Sequence, residues 1–307
     1  LVVVRVYHGL ATAILGPVAM AAVADTIDKG RGERMAWYSS ATMVGRFMAP
    51  FVGGALIFGE NYRWVYLADG VAGVLALVAA VRLPLSTATS GTVRQALKAG
   101  RGKMGTEIAA VLTNSAILAT SLIEAVQYFA FGAVEVFLPI YLHEKAGFTP
   151  LKIGALFTAQ IMVAALTKPL MGRMSDRYGR VPVIMAGLIL GGATMAAMPR
   201  SSNYMALLLL VGFFGLGLAT VTASTSAMVA DLSRASSRGS ALGVLSTIMD
   251  VGHSSGPIIS GFLISAFHYN AAFGLVGAVL AASGLAYGLV MRRGRHGLAA
   301  TDGRKPV

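Results

Sequence analysis

The chain has no cysteine, so neither a disulfide framework nor a thiolate metal site can form in it. It is also short of charge. Asp, Glu, Lys and Arg make up 12% of its 307 residues, against about 25% in an ordinary soluble domain. Catalytic signatures are missing too. No Walker sequence is present to cradle a nucleotide's phosphates, and there is no H-E-x-x-H zinc motif or G-x-S-x-G nucleophile turn. An enzyme reading is therefore poor, and no cofactor or metal ion is implied. The net charge is +12, but the basic residues do not form an aromatic-interleaved patch, so nucleic acid is not an expected partner. No secretory leader is expected from the opening residues, and the chain opens without methionine inside an apolar run (Leu1-Val2-Val3-Val4). The expectation is a chain that lacks its natural beginning.

What remains is apolar. Hydrophobic residues make up 56% of the chain, glycine is abundant at 37 residues, and the mean hydropathy is +0.70. Nine segments are long enough to cross a bilayer, at about 1–24, 35–58, 64–83, 113–142, 151–171, 182–198, 204–228, 240–266 and 271–291. The runs are too long, and alternate too little, for a β-barrel. The fold class expected is all-α and membrane-embedded. Assigning the connections to alternating sides puts eighteen Lys and Arg on one side and four on the other. The basic side is then cytoplasmic, and so is the C-terminus. Residues 1–83 read as a partial helical bundle of three spans, 84–106 as a flexible cytoplasmic linker, 107–292 as a six-helix bundle and 293–307 as a cytoplasmic tail.

One connection stands out. Gly172-Arg173-Met174-Ser175-Asp176-Arg177-Tyr178-Gly179-Arg180 packs four charges and two bracketing glycines between the apolar segments Ile153–Met171 and Val181–Met198. The glycines permit turns that a side chain would obstruct, and Asp176 can accept the free N–H groups of a helix N-terminus. Arg177 and Arg180 can pair with acids or lipid phosphates. The plainer reading is a tight turn carrying basic topology anchors.

The chain also resembles itself at an offset of 206–207 residues. Val23-Ala24-Asp25 repeats as Val229-Ala230-Asp231, Arg31-Gly32 as Arg238-Gly239, and Gly45, Pro50 and Gly54 fall on Gly252, Pro257 and Gly261. This period suits two homologous halves of a transporter rather than a solenoid. The first three spans match the last three of the second half, so three helices are expected to be missing before Leu1.

With these residues in hand, the chain resembles the major facilitator superfamily (MFS), with spans equivalent to helices four to twelve. The segment at 172–180 resembles that family's cytoplasmic loop motif in its second-half copy. Arg5-Val6-Tyr7-His8-Gly9 resembles the fourth-helix R-x-x-Q-G motif, with His8 where Gln is usual. Gly45-Arg46-Phe47-Met48-Ala49-Pro50-Phe51-Val52-Gly53-Gly54 resembles the fifth-helix motif associated with antiporters, with Ala49 in place of the usual Gly. The resemblance implies a proton-coupled secondary transporter of a small organic molecule, drug/proton-antiporter-like and working by alternating access. It would be multi-pass in the cell's plasma or inner membrane and a monomer when complete. Its partners would be substrate, protons and membrane lipids. It further implies that Asp176 docks on a helix of the opposite half, near Met35, and that Arg5 couples protonation to conformational change. A proton-linked importer of a metabolite, a non-transporting membrane receptor and an inactive truncated product remain open.

The intramembrane polar residues are the candidate cavity. Glu124, Tyr128, Phe131 and Glu135 recur at helical spacing beside Gln127, forming a polar-aromatic stripe on an apolar segment. Carboxylates at this depth belong on the bundle interior or in water. Glu124 is the deeper of the two and the candidate for proton binding or a cationic substrate, while Glu135 also reads as a near-surface residue. Asp250 and His253 lie one helical turn apart, as a proton-exchanging pair or as a static fastener between helices. By the repeat, His253 corresponds to Arg46. Gly45, Pro50, Gly53, Gly54, Gly252, Gly256, Pro257 and Gly261 are backbone features that let helices approach or bend. Lys168 is expected to snorkel to the cytoplasmic face, and the hydroxyls of Thr220–Ser226 to bond backbone carbonyls.

Overall fold

A computed structural model describes residues 31–57, 61–82, 113–234 and 237–301, with side chains described for 41–57, 61–79, 81, 113–234 and 237–292. The first expected span (1–24), with Arg5 and His8, and the expected linker (84–106) lie outside the described residues. By its internal contacts the chain divides into two compact units, Leu1–Leu97 and Lys98–Val307.

In the first unit, α1 (Arg31–Leu56) and α2 (Arg63–Arg82) are the described helices. Pro50 lies inside α1. Asn61 accepts a hydrogen bond from the Arg63 N–H just ahead of α2. The side chains of α2 are mostly apolar and exposed, Tyr66, Leu75 and Val81 among them. Exposed apolar helix surface of this kind suits contact with lipid or further helices.

The second unit comprises α3 (Ser115–Glu144), α4 (Pro150–Tyr178), α5 (Arg180–Ala197), α6 (Tyr204–Leu232) and α7 (Arg238–Thr301). A short 3₁₀ turn, Met198–Arg200, extends α5. The helix starts follow from capping chemistry. Asn114 accepts from the N–H groups of Ala116 and Ile117, and Asn203 from those of Met205 and Ala206. Thr149 caps α4, whose first residue is Pro150. The α7 run is two helices in one: His268 has φ 64° and ψ 168°, so the chain breaks there into arms 238–267 and 269–301. The break falls between the two spans read from the sequence at 240–266 and 271–291. At 30 and 29 residues, α3 and α4 run to about 45 Å, longer than the ~30 Å hydrocarbon core.

The core of this unit gathers Leu138 and Leu142 of α3, Leu156 of α4, Ile184, Leu188 and Met195 of α5, Leu207 and Phe214 of α6, and Phe273 and Leu280 of α7. The largest packed interface joins α3 to α7; α5 to α7, α4 to α6 and α5 to α6 follow. Glycine sets the closest approaches. A Cβ on Gly252 would strike the Ala125 carbonyl of α3, and Gly192 of α5 and Gly277 of α7 each lie against the other's carbonyl oxygen.

The connection at 172–180 differs from the sequence expectation. Helix α4 continues through it to Tyr178, and α5 begins at Arg180, leaving Gly179 as the one residue between them. Gly179 turns the chain at φ 92°, where a side chain would be strained. Gly172 makes no turn: it sits inside α4, with open space where a Cβ would project.

Candidate functional site

Two groups of polar side chains lie on α3, on the stripe read from the sequence. The first centres on Glu124. It is buried at 3% exposure, nine residues into α3. The Thr225 hydroxyl of α6 donates to its Oε2 at 2.5 Å. Lys168 of α4 lies near enough for its charge to act on this carboxyl. Lys168, expected to snorkel to the cytoplasmic face, is exposed on α4 ten residues before the helix ends. The run from 220 to 226 does bond backbone carbonyls: Thr220 donates to Leu216 and Thr222 to Ala219. Thr225 adds the link to Glu124.

The second group lies one to three turns further along α3. His253 of α7 and Glu135 are joined through Nε2 and Oε2 at 2.8 Å. The imidazole stacks on Phe131 at 5.5 Å between centroids and meets the edge of Tyr128 at 6.0 Å, while Tyr128 and Phe131 contact one another at 5.9 Å. Glu135 keeps 50% of its side chain exposed and His253 39%. The result is an open aromatic patch with one carboxylate and one imidazole. Aromatic faces and a carboxylate together suit a flat organic molecule with a positive end. Close helix contact makes the patch possible, because Gly132 meets the His253 backbone and Gly256 the Phe129 carbonyl.

The pairing read from sequence, Asp250 with His253, is replaced by this cross-helix pair. Asp250 is exposed on α7 and makes no ion pair or hydrogen bond with any described residue, and the imidazole turns to α3. Gln127 points away from the patch, toward Gly191 of α5, and is fully buried with no described hydrogen-bond partner. Among the packing residues, Gly261 lies against the Phe137 ring, and Pro257 lies within reach of a Cβ on Gly132. On α1, Arg46 is exposed, and Gly45 and Gly53 have open space at their Cβ positions, while Gly54 is buried.

A third cluster sits at one end of the bundle. Arg180 bonds Asp176 at 2.5 Å, Asp231 at 3.0 Å and the Ser175 hydroxyl at 3.2 Å. One guanidinium thereby ties the ends of α4, α5 and α6. Asp176 occupies the last turn of α4, not a helix N-terminus, and α5 starts without a side-chain cap. Arg177 lies over the Tyr178 ring at 5.5 Å. Asp231 is the residue that sequence reasoning missed here. The repeat had marked it as the counterpart of Asp25, which was its available signal.

Comparison with known proteins bears on the family and the fold. The sequence profile described as Major Facilitator Superfamily matches residues 1–149 and again 120–306. A Lactococcus lactis homologue of the multi-drug resistance efflux pump PmrA is 32% identical over 158 residues, covering 50% of this chain and 38% of that protein. This chain thus spans under two-fifths of the length of that relative. An uncharacterised MFS-type transporter of Methanocaldococcus jannaschii is 23% identical over 288 residues, 91% of this chain and 73% of that one. Among solved structures, a bacterial homologue of the human lysosomal transporter Spinster, inward-facing and unoccupied, superposes with a TM-score of 0.66 at 18% identity. That match covers 89% of this chain and 71% of the other. With its long apolar helices, its shared fold and two profile matches that together reach from residue 1 to residue 306, the chain belongs to the Major Facilitator Superfamily.

Proposed function

We propose that the chain is the transporting part of a secondary active efflux system, moving a small organic molecule out of the cell in exchange for protons. The observation that carries this reading is Glu124, a carboxyl buried in an apolar helix with a hydroxyl partner from α6 and a lysine charge nearby from α4. An acid in that position is a functional group by default, because burial of a permanent charge would be heavily disfavoured. Protonation from one side and release to the other couples it to a gradient. Similarity to an efflux pump supports the outward direction.

In this reading Tyr128, Phe131, Glu135 and His253 receive the substrate, and Glu124, about 6–16 Å from the α3 members of that group along the helix axis, carries the proton. Asp176, Arg177 and Arg180 bias the inward–outward equilibrium by holding the ends of α4, α5 and α6 together in one of the two states. Arg5, His8 and Arg46 contribute from the first half. The membrane is the cell's inner or plasma membrane, the C-terminus is cytoplasmic, and the working unit is a monomer that needs neither nucleic acid nor a cofactor.

The test is flux in vesicles of both orientations. Efflux driven by protons requires accumulation in everted vesicles when the lumen is acid. Accumulation in right-side-out vesicles under an inward proton gradient would instead make the protein an importer, and ligand binding without gradient-driven flux would make it a receptor.

A further inference from the structure

Beside the Arg180 cluster the second unit holds a crevice of about 480 Å³, built where α4 ends and α5 begins against α6 and α7. Met185, Met228 and Met291 supply an apolar floor, and Tyr178, Arg180 and Arg292 contribute to its rim. The floor is deformable, since methionine side chains adapt to the shape of what they meet. Deeper in the bundle α5 and α7 close up, because Gly288 leaves no room for a Cβ against Met185. From the crevice the exposed apolar side chains Ile189 of α5 and Leu285 and Leu289 of α7 lead along the spans. The site thus joins a charged rim to an apolar wall.

The charges on the rim are unequal. Arg180 is occupied by Asp176 and Asp231. Arg292 is exposed and makes no hydrogen bond or ion pair with any described residue. Of the two guanidinium groups on the rim, Arg180 holds two carboxylates and Arg292 pairs with none among the described residues. We propose that this crevice binds an anionic phospholipid, its phosphate on Arg292 and the start of an acyl chain over the methionine floor. A free inorganic anion has no use for the floor, and a zwitterionic lipid brings its own positive headgroup charge beside Arg292. Basic sites between membrane helices take anionic headgroups on the same physical grounds, and the Tyr178 ring with its polar tip suits the headgroup depth. Because Arg180 shares the rim, a lipid seated here touches the same clamp that ties α4, α5 and α6.

Native mass spectrometry of the delipidated full chain tests the proposal, using phosphatidylglycerol and phosphatidylcholine with identical acyl chains. Phosphatidylglycerol should be retained over phosphatidylcholine by about fivefold, the effect of one arginine beside an anionic headgroup. Arg292→Gln should abolish the preference and Arg292→Lys should keep it. Arg234→Gln, which removes the same charge at the same end but outside the crevice, should leave it unchanged. Ala186→Phe, which fills the crevice, should lower retention of both lipids with Arg292 intact. Equal retention of the two lipids by the wild type, an unchanged preference in Arg292→Gln, or displacement of phosphatidylglycerol by inorganic phosphate would each overturn it.

Discussion

Single side chains carry the proposed chemistry, and Glu124 carries the most. Glu124→Gln keeps the size and the Thr225 contact but removes the titration, so substrate flux should no longer follow an imposed pH gradient while substrate binding persists. A pH profile matching the wild type would remove Glu124 as the proton carrier. Thr225→Val should move the profile without abolishing transport, since it deletes a hydrogen bond and not the acid. For the patch, Glu135→Gln and His253→Gln should each weaken substrate binding, and the double variant should lose less than the sum. A coupling of about 0.5–3 kcal/mol is the range for residues in direct contact. Full additivity would mean that the two do not act as a pair. Glu124 could be found in the sequence because a carboxylate inside an apolar run stands out. Thr225 could not, because one hydroxyl among several on α6 has no distinguishing spacing. Asp250 looked like the partner of His253 because local helical spacing is visible in a sequence. Glu135 is 118 positions away, and only packing of α3 on α7 brings it there.

At the scale of elements, the ends and contacts of helices decide behaviour. Asp176→Asn leaves Asp231 as the carboxylate on Arg180, beside the Ser175 hydroxyl, and weakens the link between α4 and α5. Transport should fall at least about tenfold, a change of about 1.4 kcal/mol in the conformational balance, with membrane insertion unaffected. Normal flux in that variant would defeat the gating role. Close packing makes a separate prediction. Gly252→Val drives a side chain into the α3 backbone and should destabilise the bundle by about 1–3 kcal/mol, whereas Gly243→Val, with nothing within 4 Å of its Cβ, should change little. Thermal melting in detergent compares the two. Helix positions were readable because each span is a long apolar run, and the break at His268 sits in a gap that hydropathy already marked. The extent of α4 was not readable, because hydropathy ends at Met171 where the charges begin, while the hydrogen-bonded backbone continues to Tyr178. Charge ends a membrane span; it does not end a helix.

For the molecule as a whole, the superfamily was legible from the repeat and the loop motif, and the profile matches bear it out. Substrate identity was not, because specificity lies in how side chains from different helices converge, which no local pattern records. The alternation of basic and neutral connections makes a topological prediction. Reporter fusions at 26–34 and 231–239 should report the same face of the membrane, and opposite faces would break the symmetry on which alternating access rests. The most direct test of proton-coupled transport is solute flux in proteoliposomes under an imposed pH difference, comparing the wild-type chain with Glu124→Gln. Expected is uptake against a concentration gradient that reverses when the pH difference is reversed and is absent in the variant. Flux indifferent to the pH difference, or equally driven with and without the Glu124 carboxyl, would contradict it.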